Sequence, residues 1–288
     1  MEGKEAYEVL IFYGYLTIED PDATASWVKS LALKFELLGR AIIAQEGINA
    51  TFEGTVGHTE AFVREFQTDA RFANLHIKRS EGTGKSFPKL SVKVRSEIVG
   101  TRFPKEVDPR VKTAPHLKAE ELKRWYESGK EFVVVDMRNS YEFASGHFKN
   151  SVDPGLSNSR DLPEAVEKLS DLKSKTVLTV CTAGVRCEKM SAYLLHEGFT
   201  DVHQLDGGIH TYMEKYPGED YEGTLYTFDN RLTMDFGGKR EVVGKCRLCD
   251  APSERYVNCA NNDCHLHFLA CEACAPDISA AYCGSCEE

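Results

Sequence analysis

Eight of the ten cysteines in this 288-residue chain fall within residues 246–286 as four short pairs: Cys246 with Cys249, Cys259 with Cys264, Cys271 with Cys274, and Cys283 with Cys286. Two sulfurs separated by two to four residues grip one tetrahedral ion from a tight knuckle, so eight thiolates fill two sites of four sulfurs each. A segment of about 40 residues with few large apolar side chains rarely folds without a staple, and bound metal supplies one. We therefore expect two structural zinc ions. The spacing leaves their pairing open, since sequential and interleaved arrangements both fit. His265 and His267 stand among saturated thiolate sets and are expected to be bystanders or neighbours of the ligands.

The remaining chain is long enough for further domains of roughly 100 residues each. Residues 8–97 alternate strand-like and helix-like pieces. "VLIFYGYL" reads as a strand, "DATASWVKSLALKFELLG" as a helix ending at Gly39, and "RAIIAQEGINATFEG" as two strands around Glu46-Gly47. A helix over "HTEAFVREFQ" and strands near "LHIKRS" and "LSVKVRS" follow. The order β-α-β-β-α-β predicts a ferredoxin-like unit over residues 1–100. Pro104, Pro109 and Pro115 mark a linker over 101–115.

From 116 to 222 short apolar strands ("EFVVVDMRN", "KTVLTVC", "DVHQLDGG") alternate with helices ("AEELKRWYESG", "LPEAVEKLSDL", "RCEKMSAYLLHEG"). That pattern predicts an α/β domain with a parallel sheet covered on both faces, followed by the cysteine-rich region at 223–288. The fold class is thus multidomain, α/β together with α+β.

The net charge of −10 excludes bulk coating of a polyanion, yet residues 78–118 hold eleven Lys or Arg against four acids. Lys78, Arg79, Lys85, Lys89, Lys93 and Arg95 are candidate phosphate contacts, with an ordinary solvated strand edge as the alternative. Within this strip "EGTGKS" imitates the end of a Walker A loop. Arg79 occupies the earlier glycine position, however, and Phe87-Pro88 stands where a helix should begin, so we expect a hairpin loop.

Cys181 ends an apolar strand, and Thr182-Ala183-Gly184-Val185 lead to Arg186 and a helix. A glycine-containing turn at a helix N-terminus points backbone N–H groups at an anion, which with Arg186 favours thiolate over thiol. Cys187, Met190 and Leu194 recur at helical spacing, which places Cys187 on the buried face, although a resolving or redox role stays open. Four residues separate Cys181 from Arg186, one fewer than in cysteine phosphatases, and the smaller cradle suits a sulfur-sized group or a planar electrophile.

"VVDMRNSYEFASGHFKNSV", "CTAGVRC" and "LDGGI" resemble the rhodanese family's acidic-basic segment, active loop and closing turn. The resemblance makes Cys181 the nucleophile and Arg186 the loop's electrostatic partner, with Asp136, Arg138, Glu142 and His147 holding loops together. With "EGINATFEG", "FDNRLT" and "ERYVNCAN" added in order, the whole chain resembles the rhodanese-domain tRNA uridine hydroxylase family.

The resemblance implies oxygen-dependent 5-hydroxylation of the wobble uridine, with molecular oxygen as co-substrate and the anticodon region of tRNA as partner. Cys181 would add to C6 of uracil. Two alternatives remain at this stage: a sulfurtransferase carrying a persulfide on Cys181, and a noncatalytic zinc-stabilised binding module. No run of about 18 apolar residues suggests a membrane span, and no leader-like pattern opens the chain, so a cytoplasmic protein is expected.

Overall fold

The computed structural model describes residues 6–238 and 240–286. The chain divides into two compact units. The first runs to Arg102 and takes in Pro109–Val111; the second comprises Phe103–Asp108 and the chain from Lys112 onward.

The first unit contains β1 (Tyr7–Tyr15), α1 (Pro21–Lys34), β2 (Leu38–Ala44), β3 (Gly47–Thr55), α2 (Val56–Phe66), β4 (Lys78–Glu81) and β5 (Leu90–Val94). Its sheet order is β4-β1-β3-β2-β5, antiparallel except for the β2–β5 pair. The first four strands give the ferredoxin-like order, and β5 extends the β2 edge. Leu10, Phe12, Ile43, Ile48 and Phe52 of the sheet share a core with Val28, Leu31, Phe62 and Phe66 of the helices. Burying these aromatic and aliphatic side chains is the main favourable contribution to the unit's stability.

Helix α1 begins at Pro21, one residue before the stretch read as helical, with the Asp20 side chain accepting from the Ala23 N–H and Pro21 in the first turn. It does not continue to Gly39. Glu36 adopts φ +54°, the Leu37 N–H reaches the Ala32 carbonyl at 2.8 Å, and the Glu36 N–H reaches Leu33 at 3.1 Å. This double bond pattern closes the helix before the glycine is reached. Gly39 belongs instead to β2, where a Cβ would lie 2.2 Å from the Thr51 carbonyl oxygen.

The second unit holds β6 (His116–Leu117), α3 (Ala119–Ser128), β7 (Val133–Asp136), α4 (Ser140–Ser145), β8 (Gly146–Phe148), α5 (Leu162–Lys168), β9 (Thr176–Val180), α6 (Val185–His196), β10 (Asp201–Leu205) and α7 (Gly208–Lys215). A parallel sheet of order β6-β10-β9-β7 lies between two cores. On β9, Val177 joins the core of Leu162, Met190 and Leu194, while Leu178 and Val180 join that of Leu122, Ile209 and Tyr212. A strand buried on both faces needs no polar alternation, which explains the near-continuous apolar run before Cys181, broken only by the buried Thr179.

Three short antiparallel pairs complete this unit: β8 with β11 (Tyr221–Gly223), β12 (Leu225–Tyr226) with β13 (Thr233–Met234), and β14 (Tyr256–Asn258) with β15 (His267–Leu269). The last pair carries the cysteine-rich stretch onto α4. The Tyr256 hydroxyl donates to the Tyr141 carbonyl at 2.5 Å, and the His267 ring meets Tyr141 edge-on with centroids 5.4 Å apart.

Candidate functional site

The Cys181 loop sits beyond the carboxyl end of β9, where open α/β sheets gather their reactive groups. Gly184 closes it at φ +108° as the residue before α6, and its N–H points at the Cys181 sulfur from 3.2 Å. Helix α7 fixes the outer side: the N–H groups of Ile209 and His210 donate to the carbonyls of Cys181 and Thr182 at 2.9 and 3.0 Å. Gly208 makes this approach possible. A Cβ there would stand 2.5 Å from the Cys181 carbonyl oxygen and 2.8 Å from the nitrogens of Ala183 and Gly184.

Cys181 is only 1 % exposed. Burial alone pushes its thiol up, but a side-chain hydrogen bond from Cys187, the charge of Arg186 and the backbone N–H groups of Cys187 and Gly184 outweigh it. The thiol is brought down to about 6. Burial and the neighbouring sulfur push Cys187 the other way, well above the ordinary cysteine range, so its S–H is kept and donated. Cys187 lies in the core as its helical spacing predicts, and its side chain also helps to bring the Cys181 thiol down.

Arg186 does not reach openly across the loop. Its guanidinium forms a two-pronged pair with Glu142 at 2.5 and 2.8 Å, and it also donates to the Thr182 hydroxyl at 3.1 Å. The ring of Phe228 covers it with a centroid distance of 5.5 Å. Its charge therefore acts on the sulfur from a fixed position. Glu142 is itself held by α4, where its carboxylate caps the Asn139 N–H at 3.0 Å.

Arg138 is fully buried and forks onto Asp136 at 2.9 and 2.6 Å while donating to the Gly146 carbonyl at 2.7 Å. It ties the end of β7 to β8. The His147 ring lies flat on Phe143 at 4.0 Å. Asp136 and Arg138 thus tie β7 to β8 and Glu142 ties α4 to Arg186, whereas the contacts of His147 are with Phe143 of α4.

The eight tail cysteines gather in two groups of four, Cys246, Cys249, Cys271 and Cys274 in one and Cys259, Cys264, Cys283 and Cys286 in the other. The arrangement is interleaved, first pair with third and second with fourth. Either group can bind a metal ion. Neither His265 nor His267 belongs to a group. His267 stacks on Tyr256 at 4.7 Å and bonds Asn258 at 2.7 Å.

In the first unit Lys78 is 7 % exposed, and Arg79 pairs with Glu8 at 2.5 Å, whereas Lys85, Lys89, Lys93 and Arg95 are exposed. The "EGTGKS" loop wraps a carboxylate of the chain itself. One oxygen of buried Glu53 accepts from the N–H groups of Thr83 and Gly84 at 2.8 and 2.9 Å and from the Ser86 hydroxyl at 2.6 Å, and the other accepts from the Ser86 N–H at 2.8 Å. A Walker-like sequence has become a nest for an internal anion.

Family models match in three consecutive blocks: an acylphosphatase-like domain of the UPF0176 group at residues 7–98, a rhodanese-like domain at 118–215, and a rhodanese C-terminal region at 222–287. A curated tRNA uridine(34) hydroxylase from Corynebacterium kroppenstedtii is 42% identical over 97% of this chain and 97% of its own length. The chain belongs to the tRNA uridine(34) hydroxylase family. Members from Cytophaga hutchinsonii and Bacillus velezensis are 41% and 39% identical, each over 98% of this chain and 90% and 88% of their own. Two features of this family member escaped the sequence reading, the donor role of Cys187 and the Phe228 cover over Arg186. "FDNRLT" was the only local signal of the second. Among the described residues no helix is long and apolar enough to cross a membrane.

Proposed function

We propose that this chain hydroxylates C5 of the wobble uridine of tRNA in the cytoplasm, with Cys181 as the nucleophile. The relatives supply the substrate class through their names. The observation that carries the chemistry is a cysteine brought down to about 6, with the Gly184 N–H 3.2 Å from its sulfur.

The Cys181 thiolate forms a C–S bond to C6 of uracil, which moves the C5–C6 electron pair onto C5 and the O4 carbonyl. C5 then attacks an oxygen donor. Loss of the C5 proton and expulsion of the thiolate restore the double bond. With molecular oxygen as the donor, one atom enters C5 and the other leaves as water, so a two-electron reductant takes part. An anticodon loop can present an unstacked base to such a site. Arg186, committed to Glu142, keeps the sulfur anionic rather than binding the base.

Each sulfur group fits zinc. A tetrahedral ion with Zn–S bonds near ~2.3 Å sets its sulfurs about 3.8 Å apart. The Cys249–Cys271, Cys264–Cys283 and Cys283–Cys286 separations are 3.7, 3.8 and 3.6 Å. Zinc there supplies folding energy to the region that packs on α4. Metal analysis should find two zinc ions per chain and about one in Cys274→Ser. The exposed Lys85, Lys89, Lys93 and Arg95 serve as phosphate contacts.

The test is nucleoside mass spectrometry on tRNA from cells lacking the gene, complemented with wild type or Cys181→Ser. We expect 5-hydroxyuridine derivatives to return only with the wild type. Recovery with the serine variant would remove the thiolate from the mechanism. A changed thiolated nucleoside instead would install the sulfurtransferase.

A further inference from the structure

Strands β12 and β13 form a hairpin whose tip, residues 227–232, is locked from within. The Thr227 N–H donates to the Leu232 carbonyl at 2.7 Å. Asp229 accepts from the Arg231 N–H at 3.0 Å and pairs with its guanidinium at 2.8 and 2.7 Å. Tyr226, Thr227 and the Asp229 side chain are all buried. Phe228, between them, leaves 39 % of its surface in water.

An exposed phenyl ring gains nothing from hydration, and this tip has no slack to turn it inward. The ring is fixed on two sides by the Arg186 guanidinium at 5.5 Å and the Tyr226 ring, nearly perpendicular at 5.2 Å. That guanidinium bonds Thr182, the residue after Cys181. The fold therefore displays a rigid aromatic surface beside the loop that carries the thiolate.

We propose that Phe228 is the stacking platform for the target uracil, holding the unstacked base against the Cys181 loop. The proposal rests on the hydroxylase reading given above. Uracil has a flat π face and presents no charge to an aromatic neighbour, and stacking of single-stranded bases on aromatic side chains is a general means of holding them. The ring also shields the Arg186–Glu142 pair, which orders the platform and the thiolate environment together.

The test compares Phe228→Trp, Phe228→Leu and Phe228→Ala in the full-length protein. The first readout is 5-hydroxyuridine in tRNA of complemented cells. The second is the concentration of anticodon stem-loop RNA, with uridine at the wobble position, that protects Cys181 from iodoacetamide. The third is the pH midpoint of Cys181 alkylation without RNA. We expect Trp to stay within about 3-fold of wild type in the first two, and Leu and Ala to lose about 10- to 100-fold. The midpoint should stay near its wild-type value in Leu, which still covers Arg186.

If Leu matches Trp in product and protection, stacking is wrong and Phe228 is only an apolar cover. If loss of product in Leu tracks a displaced alkylation midpoint, its role is structural and the proposal also fails. Wild type that forms no Cys181-dependent 5-hydroxyuridine overturns the hydroxylase reading itself, and the platform with it.

Discussion

Two glycine-containing loops of this protein are built to hold negative charge, and they hold very different things. The loop at residues 81–86 closes on the Glu53 carboxylate, buried with the N–H groups of Thr83, Gly84 and Ser86 around it. The loop at 181–186 closes on a sulfur that becomes an anion only when it loses a proton. In the first, the anion and its donors satisfy one another and nothing is left to react. In the second, the same kind of backbone donor lowers the cost of a charge that is also a nucleophile. What a nest does is decided by the group the fold places in it.

The comparison breaks most sharply at Cys181. Cys181→Ser should reduce 5-hydroxyuridine formation at least about 1,000-fold while leaving thermal stability nearly unchanged, because the hydroxyl stays neutral at pH ~7 and fills similar space. Activity in that variant would mean that the second nest, like the first, is structural.

Glu53→Ala should act in the opposite sense. It removes a buried carboxylate from four donors and should destabilise the first unit by about 2–4 kcal/mol in chemical denaturation. An unchanged denaturation midpoint would show that water replaces the carboxylate at no cost.

The proton on Cys181 gives a finer test. Its thiolate is the reactive form, so alkylation should accelerate as pH rises through about 6 and level off above. Cys187→Ala deletes a donor to the thiolate, which moves that inflection upward and slows alkylation at pH about 6 by several-fold. An inflection near the free-cysteine value in the wild type would remove the functional distinction between the loops.

The smallest effect belongs to the outside of the first nest. Lys85→Ala should weaken tRNA binding modestly and lower the salt slope of log K by about 0.7–0.9, the share of one phosphate contact. No change in slope would leave Lys85 as an ordinary solvated residue.

Much of this architecture is readable from residues near one another in sequence. The double-sided burial of β9 shows in its mostly apolar run, and the Asp136–Arg138 tie lies within one short motif. The thiolate is readable because its strand, glycine and arginine are consecutive. Contacts made across the chain are not. Glu53 lies 30 residues before Thr83, so nothing within "EGTGKS" announces its ligand. Phe228 meets Arg186 from a distant part of the chain. Helix α1 misled for a different reason: its stop is a bond pattern at Glu36, a residue with no Cβ-free excuse for φ +54°, whereas the visible glycine serves the sheet. Lys78 shows the same limit, since a basic strip gives no account of which cation a strand turns inward.

The interleaving of the sulfur pairs gives the tail an order of birth. During synthesis Cys246 and Cys249 leave the ribosome first, yet their partners are Cys271 and Cys274, so the first metal site stays incomplete until Cys259 and Cys264 have already emerged between them. Closing that site ties off a loop with half of the second site inside it, still waiting for Cys283 and Cys286. Neither group can offer an ion all four of its sulfurs until late in synthesis, and a chain interrupted between Cys274 and Cys283 carries one complete sulfur group and one half-made one.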